Sequence, residues 1–296
     1  MIKAFHYVTI NEMSDMIMRN MYKVPHDIDF VIGVPRSGML PAVIIAEYLN
    51  VALIDVDSFI HGAKPTGGNR LHFVHYKAKP RPKVLVIDDT VFSGTAMLRT
   101  RAKLESFKKD YDFIYAAAYL EGRGMGTIDF WLDDDSKYIQ NDIQCIYQWN
   151  FLNHYSHVMD LCIYDMDGLL CVDPPCDRNT EQYESYIKDA TPLLCPTMPF
   201  GKICTYRISK YKHITEQWLQ KYNIKCKELV MFNANSREER DTSGIGPADF
   251  KANYFKNDPA VLFVESESWQ AERIHRLTGK QVLCTTTNKL YGEIPI

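Results

Sequence analysis

No apolar run in the chain reaches the length of a membrane span, and no secretory apolar core follows the N-terminal Met1-Ile2-Lys3-Ala4-Phe5-His6. The expected setting is the cytoplasm, with no membrane partner. CxxC pairs are missing as well: the eight cysteines are spread along the sequence, which favours reduced, mostly buried thiols over a disulfide framework. Cys162, Cys171 and Cys176 are near neighbours, but Cys162 falls in an apolar strand-like run and no CxxC or HxxxH element completes a zinc site. An excess of charge of one sign is also lacking, since 34 Lys and Arg stand against 37 Asp and Glu, for a net charge of -3. The short basic run Lys77, Lys79, Arg81 and Lys83 reads as a solvated loop beside a strand, so no nucleic-acid partner is expected. There is no long Pro/Gly/Ser linker either, so any domains are closely joined.

What is present is a folded composition, 46% apolar and 24% charged, with enough length in 296 residues for two domains. Short β-branched apolar runs alternate with helical stretches, the pattern of βα units. In the first half the runs are 30–34, 51–54, 84–87 and 113–119, with helices predicted over 39–49 and 96–107. In the second half strands are predicted at 161–164, 202–205, 229–232, 261–264 and 281–284. Tyr211, Ile214, Trp218 and Tyr222 keep helical spacing, and Ala271 and Ile274 precede a Gly279 helix stop. The fold class is α/β, with two domains each built on a mainly parallel sheet flanked by helices. A new strand starting at Leu161 sets the boundary, giving domains 1–157 and 158–296.

The most informative segment is Val84-Leu85-Val86-Ile87-Asp88-Asp89-Thr90-Val91-Phe92-Ser93-Gly94-Thr95. A buried parallel strand is expected to deliver Asp88 and Asp89 to its carboxyl end, where open α/β sheets hold their ligands. Neighbouring carboxylates there suit two adjacent hydroxyls and, through Mg2+, a phosphorylated sugar. Thr90, Ser93, Gly94 and Thr95 supply hydroxyls and a turn into a helix, so that amides and side chains cradle a phosphate. An acidic cap and tight turn would explain the segment without a ligand, but the apolar run, both carboxylates and Ser-Gly-Thr would then coincide by chance. Earlier in the chain, Gly33-Val34-Pro35-Arg36-Ser37-Gly38 sets an arginine beside a Ser-Gly turn that opens a helix, a second place suited to an anion.

In that order the two motifs resemble the type I phosphoribosyltransferase family over roughly residues 1–157. The resemblance implies that Asp88 and Asp89 bind the ribose hydroxyls of phosphoribosyl pyrophosphate, that Thr90 to Thr95 bind its 5′-phosphate, and that Arg36 and Ser37 sit in the pyrophosphate loop. It also implies a mobile loop, here about 57–81, in which Lys64 and Arg70 are the charge donors to weigh. Tyr147-Gln148-Trp149-Asn150 looks like a Phe-Pro-Trp-Glu stretch of some purine enzymes, where Trp149 would stack on a base. Both Pro and Glu are replaced, and a core role for Trp149 stays open.

Leu161-Cys162-Ile163-Tyr164-Asp165-Met166-Asp167-Gly168 again sets carboxylates after a strand, now one residue apart. Asp165 and Asp167 can approach one centre when the strand turns into a loop, as a nucleophile and a general acid/base require. A calcium loop would need further acidic positions in EF-hand order, which Pro174 and Pro175 interrupt. This half resembles the haloacid dehalogenase-like phosphatases over about 159–296, with little or no cap. The resemblance implies Asp165 as the nucleophile that becomes a phospho-aspartate, Asp167 as general acid/base, and Thr205 as the phosphoryl-binding hydroxyl. Lys251, with Lys256 in reserve, would be the motif lysine. Glu265, with Glu267 second, would join Asp165 and Asp167 as Mg2+ ligands, a departure from the commoner pair of aspartates.

A transferase product keeps its 5′-phosphate, and the second domain is of a kind that removes such groups. The joint expectation is a bifunctional enzyme: phosphoribosyl transfer with release of pyrophosphate, then hydrolysis to a ribosyl product. A non-catalytic phosphoribosyl-sensing domain fused to a phosphatase, and a salvage transferase beside an independent phosphatase, are the alternatives. Expected partners are phosphoribosyl pyrophosphate and a small-molecule or glycan-precursor acceptor, with Mg2+ as cofactor and a homodimer left open.

Overall fold

The computed structural model describes residues 2–68, 80–153, 156–175 and 181–293. Arg70, Lys77, Lys79 and Cys176 lie outside the described residues. By its internal contacts the chain divides into two compact units, Val8–Trp149 and residues 150–293 together with 2–7. The division falls at 149/150, ahead of the 157/158 boundary expected from sequence. The first residues join the second unit because the Phe5 backbone N–H donates to Gln281 Oε1 (2.6 Å), and Gln281 Nε2 donates back to the Phe5 carbonyl (2.8 Å).

After β1 (Ala4–Val8), the first unit carries β2 (Phe30–Gly33), β3 (Ala52–Asp55), β4 (Lys83–Val91), β5 (Asp112–Leu120), β6 (Phe130–Asp134) and β7 (Ile143–Tyr147). Five of these form a sheet of order β3-β2-β4-β5-β6 in which every neighbouring pair is parallel. Strand alternation explains how this sheet is buried on both faces. Leu85 and Ile87 point into one apolar cluster with Val31 and Ala116, while Val84 and Val86 point into the other with Phe30, Ile32 and Tyr115. The helix Ile10–Asn20 is started by a reciprocal cap: the Glu12 N–H donates to Thr9 Oγ1, and the Thr9 N–H donates to the Glu12 carboxylate.

In the second unit the strands are β8 (Cys162–Tyr164), β9 (Phe200–Ile208), β10 (Cys226–Phe232), β11 (Leu262–Glu265), β12 (Gln281–Cys284) and β13 (Lys289–Tyr291). Their order is β10-β9-β8-β11-β12-β13, parallel throughout except for the antiparallel edge strand β13. The short strand β8 is central, so the residue that follows it emerges at the middle of the sheet's carboxyl edge, between β9 and β11. Helices Pro247–Asn257 and Ser268–Thr278 pack Ala248, Ala252, Phe255, Ala271 and Ile274 against Ile163, Phe263 and Val282. Among the described residues no helix is long and apolar enough to cross a membrane. The described cysteines are all free thiols, Cys162 and Cys171 among them.

Candidate functional site

In the first unit, the strand that carries the acidic pair is longer than its apolar run. The sequence sets Asp88 and Asp89 beyond the strand, but β4 continues to Val91, because β5 offers ladder partners as far as Leu120: Asp88 lies opposite Ala117 and Thr90 opposite Tyr119. The turn proper is 92–94. Both carboxylates are buried, and Asp88 Oδ1 accepts the N–H of Asp89 (2.9 Å). Burial, and next the neighbouring charge of Asp89, push the Asp88 carboxyl up to about 8.

The Arg36 loop reaches this pair because β2 adjoins β4 in register, Gly33 beside Ile87. A Cβ at Gly38 would stand 2.5 Å from the Val34 carbonyl and 2.8 Å from Asp88 Oδ1, so the loop can lie against Asp88 only with glycine there. Arg36 is exposed and Ser37 half-buried. Past β4, Gly94 adopts φ +77° as the cap of helix Thr95–Leu104, and the exposed Ser93 and Thr95 hydroxyls stand 3.0 Å apart. Hydroxyls at the N-terminus of a helix, beside buried carboxylates at a parallel sheet's carboxyl edge, make a place for an anionic sugar. Lys64 is exposed, in the segment after the short helix Val56–Ile60.

Trp149 is tied to the acidic pair. Its indole N–H donates to Asp89 Oδ2 (2.8 Å), and its ring stacks on Tyr147 at 4.8 Å. The Tyr147 hydroxyl donates to Glu121 Oε1 (2.6 Å) and reaches Asp135 at 3.4 Å. Burial above all pushes both of these carboxyls up to about 7. Neither Glu121 nor Asp135 belongs to a motif, and no spacing rule marks them in the sequence.

In the second unit, four separate segments converge on one cleft of about 270 Å³ whose lining includes Asp165, Asp167, Thr205, Lys251 and Glu267. Asp165 follows β8 directly and is held by its N–H to the Val264 carbonyl of β11 (2.9 Å). Lys251 is buried and donates to Asp165 Oδ2 (2.8 Å), Glu265 Oε2 (2.7 Å) and Gln270 Oε1 (3.0 Å). Lys251 therefore meets the nucleophile candidate, whereas Lys256 is exposed on the same helix. Burial first, then the charge of Glu265, push Asp165 up to about 8, while Lys251 pulls it down. The two carboxylates outweigh the desolvation of Lys251, so its ammonium stays charged. Glu265 is fully buried and Glu267 exposed at the cleft rim.

Asp167 is held differently. The buried Arg207 donates from Nε to both carboxylate oxygens (3.2 and 3.1 Å) and from Nη2 to Oδ1 (2.5 Å), and Tyr186 Oη lies 3.1 Å from Oδ1. Arg207 stands two residues after Thr205, where the next same-face residue of a strand falls. Tyr186 comes from helix Glu181–Asp189, which occupies the interval between Asp165 and Thr205. Neither Arg207 nor Tyr186 belongs to a motif in the sequence. Gly168, at φ +78°, turns the chain where a Cβ would meet Ser266 Oγ at 2.3 Å.

Mg2+ is implied at both sites by the family resemblances. Among the described residues no group of three or more His, Cys, Asp or Glu side chains is gathered as a metal cage. The oxygens present at the second site do suit a hard cation: the carboxylates of Asp165 and Glu265, and the carbonyl of Asp167, which accepts from Ser266 Oγ at 3.3 Å. A cation there would offset the repulsion between the two buried carboxylates and favour the ionised form of Asp165, which burial and Glu265 disfavour.

Comparison with known proteins bears on the first unit. Residues 6–123 match the family described as phosphoribosyl transferase domain. Solved structures similar to the chain include the orotate phosphoribosyltransferase of Aeropyrum pernix, at 18% identity over 44% of this chain and 74% of that one, TM-score 0.33. The purine phosphoribosyltransferase of Pyrococcus horikoshii matches at 18% identity over 49% and 92%, TM-score 0.34. The Helicobacter pylori xanthine-guanine-hypoxanthine phosphoribosyltransferase matches at 16% over 49% and 93%, TM-score 0.33. No curated protein matches the chain. The matched span holds β2 and β4 with the Arg36 loop, the buried acidic pair and the Ser93–Thr95 turn, and on that agreement the N-terminal part of this chain is a phosphoribosyltransferase-like domain.

Proposed function

We propose that the protein is bifunctional: the first unit transfers ribose 5-phosphate from phosphoribosyl pyrophosphate to an acceptor, and the second removes the 5′-phosphate from the product. In the transfer, the acceptor nucleophile attacks C1 of the ribose and the C1–O bond to pyrophosphate breaks. Asp88 and Asp89 hold the ribose hydroxyls, Thr90 and Ser93 to Thr95 hold the 5′-phosphate, and Arg36 and Ser37 bind the leaving pyrophosphate, whose growing charge Arg36 offsets. Lys64 is a further candidate donor to that group. The close passage of Gly38 over Asp88, which brings leaving-group loop and ribose carboxylates to one strand edge, carries this half of the reading.

In the hydrolysis, an Asp165 oxygen attacks phosphorus, and the ester oxygen leaves with a proton from Asp167. Water activated by Asp167 then cleaves the phospho-aspartate and releases phosphate. Thr205 and Lys251 bind the phosphoryl oxygens. Mg2+, held by Asp165, Glu265 and the Asp167 carbonyl, would neutralise phosphoryl charge, as it would on the pyrophosphate beside Asp88 and Asp89. The convergence of Asp165, Asp167, Thr205, Lys251 and Glu265 from separate segments supports this half. Consuming the transfer product would draw a reversible step forward.

The test combines phosphoribosyl pyrophosphate, Mg2+ and a panel of bases and polyol phosphates with wild type, Asp165→Asn and Asp89→Asn, following pyrophosphate, phosphate and product mass. A phosphorylated ribosyl product should accumulate with Asp165→Asn and be absent with Asp89→Asn. If wild type never dephosphorylates that product, the coupling is lost.

A further inference from the structure

The cleft that holds Asp165 has a second wall, which the phosphatase chemistry leaves unused. Beyond the charged floor of Asp165, Thr205 and Lys251, it is lined by Trp269, Tyr206 and Pro247. Trp269 is 52% exposed, although large aromatic side chains usually bury most of their surface. Its place is fixed on both sides: it stands at the start of helix Ser268–Thr278, and the next residue, Gln270, contacts Lys251 Nζ. Tyr206 follows Thr205 in β9, and its hydroxyl donates to the Ile245 carbonyl, which holds the ring at the rim. Two rings and a proline thus border the cleft beside Asp165, Thr205 and Lys251.

From this arrangement we infer that Trp269 is a specificity residue that stacks on a planar, base-like group of the phosphate ester hydrolysed in this cleft. The inference rests on the phosphatase reading of Asp165 and selects between the acceptor classes left open above: a nucleobase-like acceptor, giving a ribonucleoside 5′-monophosphate, rather than a polyol or glycan hydroxyl. An exposed indole face offers a base a sequence-tolerant platform and gives a polyol little. The carboxylates of Asp173 and Glu267, also at the rim, can accept from sugar hydroxyls and repel additional phosphates. The substrate is therefore a monophosphate with a planar, uncharged or cationic ring.

The experiment separates binding from turnover. In full-length Asp165→Asn, the affinities of adenosine and uridine 5′-monophosphates and of ribose 5-phosphate are measured by calorimetry, with Trp269→Ala and Trp269→Phe added in turn. Because Trp269 is exposed at a helix start, unchanged circular dichroism checks that the fold survives. Loss of one base stack weakens nucleotide binding by about tenfold with Trp269→Ala. Trp269→Phe restores most of it, and ribose 5-phosphate is bound equally by all three proteins. Equal weakening for nucleotide and ribose 5-phosphate, no preference of the parent for nucleotides, or tighter binding of a ribosyl-polyol 5-phosphate would each overturn the inference. Failure of wild type to hydrolyse any of these esters would sink the phosphatase reading alone, since the Trp269-dependent binding difference is read in a protein that does not turn over.

Discussion

Arg207 grips Asp167 with its guanidinium edge: Nε lies 3.2 and 3.1 Å from the two carboxylate oxygens and Nη2 lies 2.5 Å from Oδ1, with both residues buried. Such a fork fixes the plane of the carboxylate as a lysine could not. Oδ1 takes most of these contacts, from Nε, Nη2 and Tyr186 Oη, whereas Oδ2 is met by Nε alone among them. If Asp167 is the general acid of the hydrolysis proposed above, Arg207 acts through it as a positioning residue.

Arg207→Ala leaves the Asp167 carboxylate in the interior without its counter-charge. Breaking a buried pair this way costs about 3–5 kcal/mol, so a marked drop in the urea midpoint of the second unit is expected. Arg207→Lys retains charge but loses the fork. It should keep most of the stability and lower phosphatase kcat with little change in KM, because the floor of Thr205 and Lys251 is untouched. A Lys variant with wild-type kcat and pH profile would leave Arg207 a purely structural role.

Trp149→Phe tests whether the indole serves Asp89 or the acceptor. Phenylalanine can keep the stack on Tyr147 but has no N–H for Asp89 Oδ2. A hydrogen bond to a charged group contributes about 1.5–3 kcal/mol. The expected result is a rise of about ten- to a hundredfold in KM for phosphoribosyl pyrophosphate, read from pyrophosphate release with the acceptor saturating. An increase confined to the acceptor KM would return Trp149 to the base-stacking role that the sequence suggests.

The two sites differ in how much of them the sequence displays. Asp88, Asp89, Asp165 and Asp167 are legible because apolar runs end at them, and a parallel strand buried on both faces has to be apolar. The same logic misplaced the end of β4: its last residues include two carboxylates and a threonine, a composition that reads as loop, while the ladder from β5 continues past them. Arg207 and Tyr186 were not legible because a buried cation and a tyrosine are recognised only by what they touch. Their partner Asp167 lies 40 residues from one and 19 from the other. Gln281 reads as the start of a strand, yet its side chain secures the backbone of Phe5, 276 residues away. Edge strand β13 and the short strand β6 carry too few alternating apolar residues to declare themselves.

Glu121 gives the first unit a pH dependence. Burial raises its carboxyl from the usual 4.5 to about 7, so the folded state holds a proton that the unfolded chain has released. Stability is then fullest below about 4.5, declines as pH rises toward 7, and levels off above that. Glu121→Gln keeps an acceptor for the Tyr147 hydroxyl and removes the ionisation. It should raise stability at pH 8 by roughly 1–3 kcal/mol, with almost no effect at pH 5. Thermal melts of wild type and variant between pH 5 and 8 check the sign, and a variant less stable at pH 8 than at pH 5, relative to wild type, would contradict it.

Gly38→Ala probes the approach of the Arg36 loop to Asp88, and with it the proposed roles of the two in pyrophosphate and ribose binding. The added methyl would sit 2.5 Å from the Val34 carbonyl and 2.8 Å from Asp88 Oδ1, contacts with backbone and with a buried side chain that cannot swing away. The backbone at Gly38 has ordinary helical dihedrals (φ -61°, ψ -14°), so alanine is not strained by conformation, and the effect isolates crowding. The loop must lift from β4, carrying Arg36 and Ser37 away from Asp88. A displacement of that kind costs about a hundredfold in a reaction governed by positioning, so pyrophosphate release should fall by about that factor while the phosphatase, assayed on added nucleotide monophosphate, serves as the internal control. Gly38→Ala with wild-type transfer would mean that the pyrophosphate is bound away from this loop, and the role given to Arg36 would fall with it.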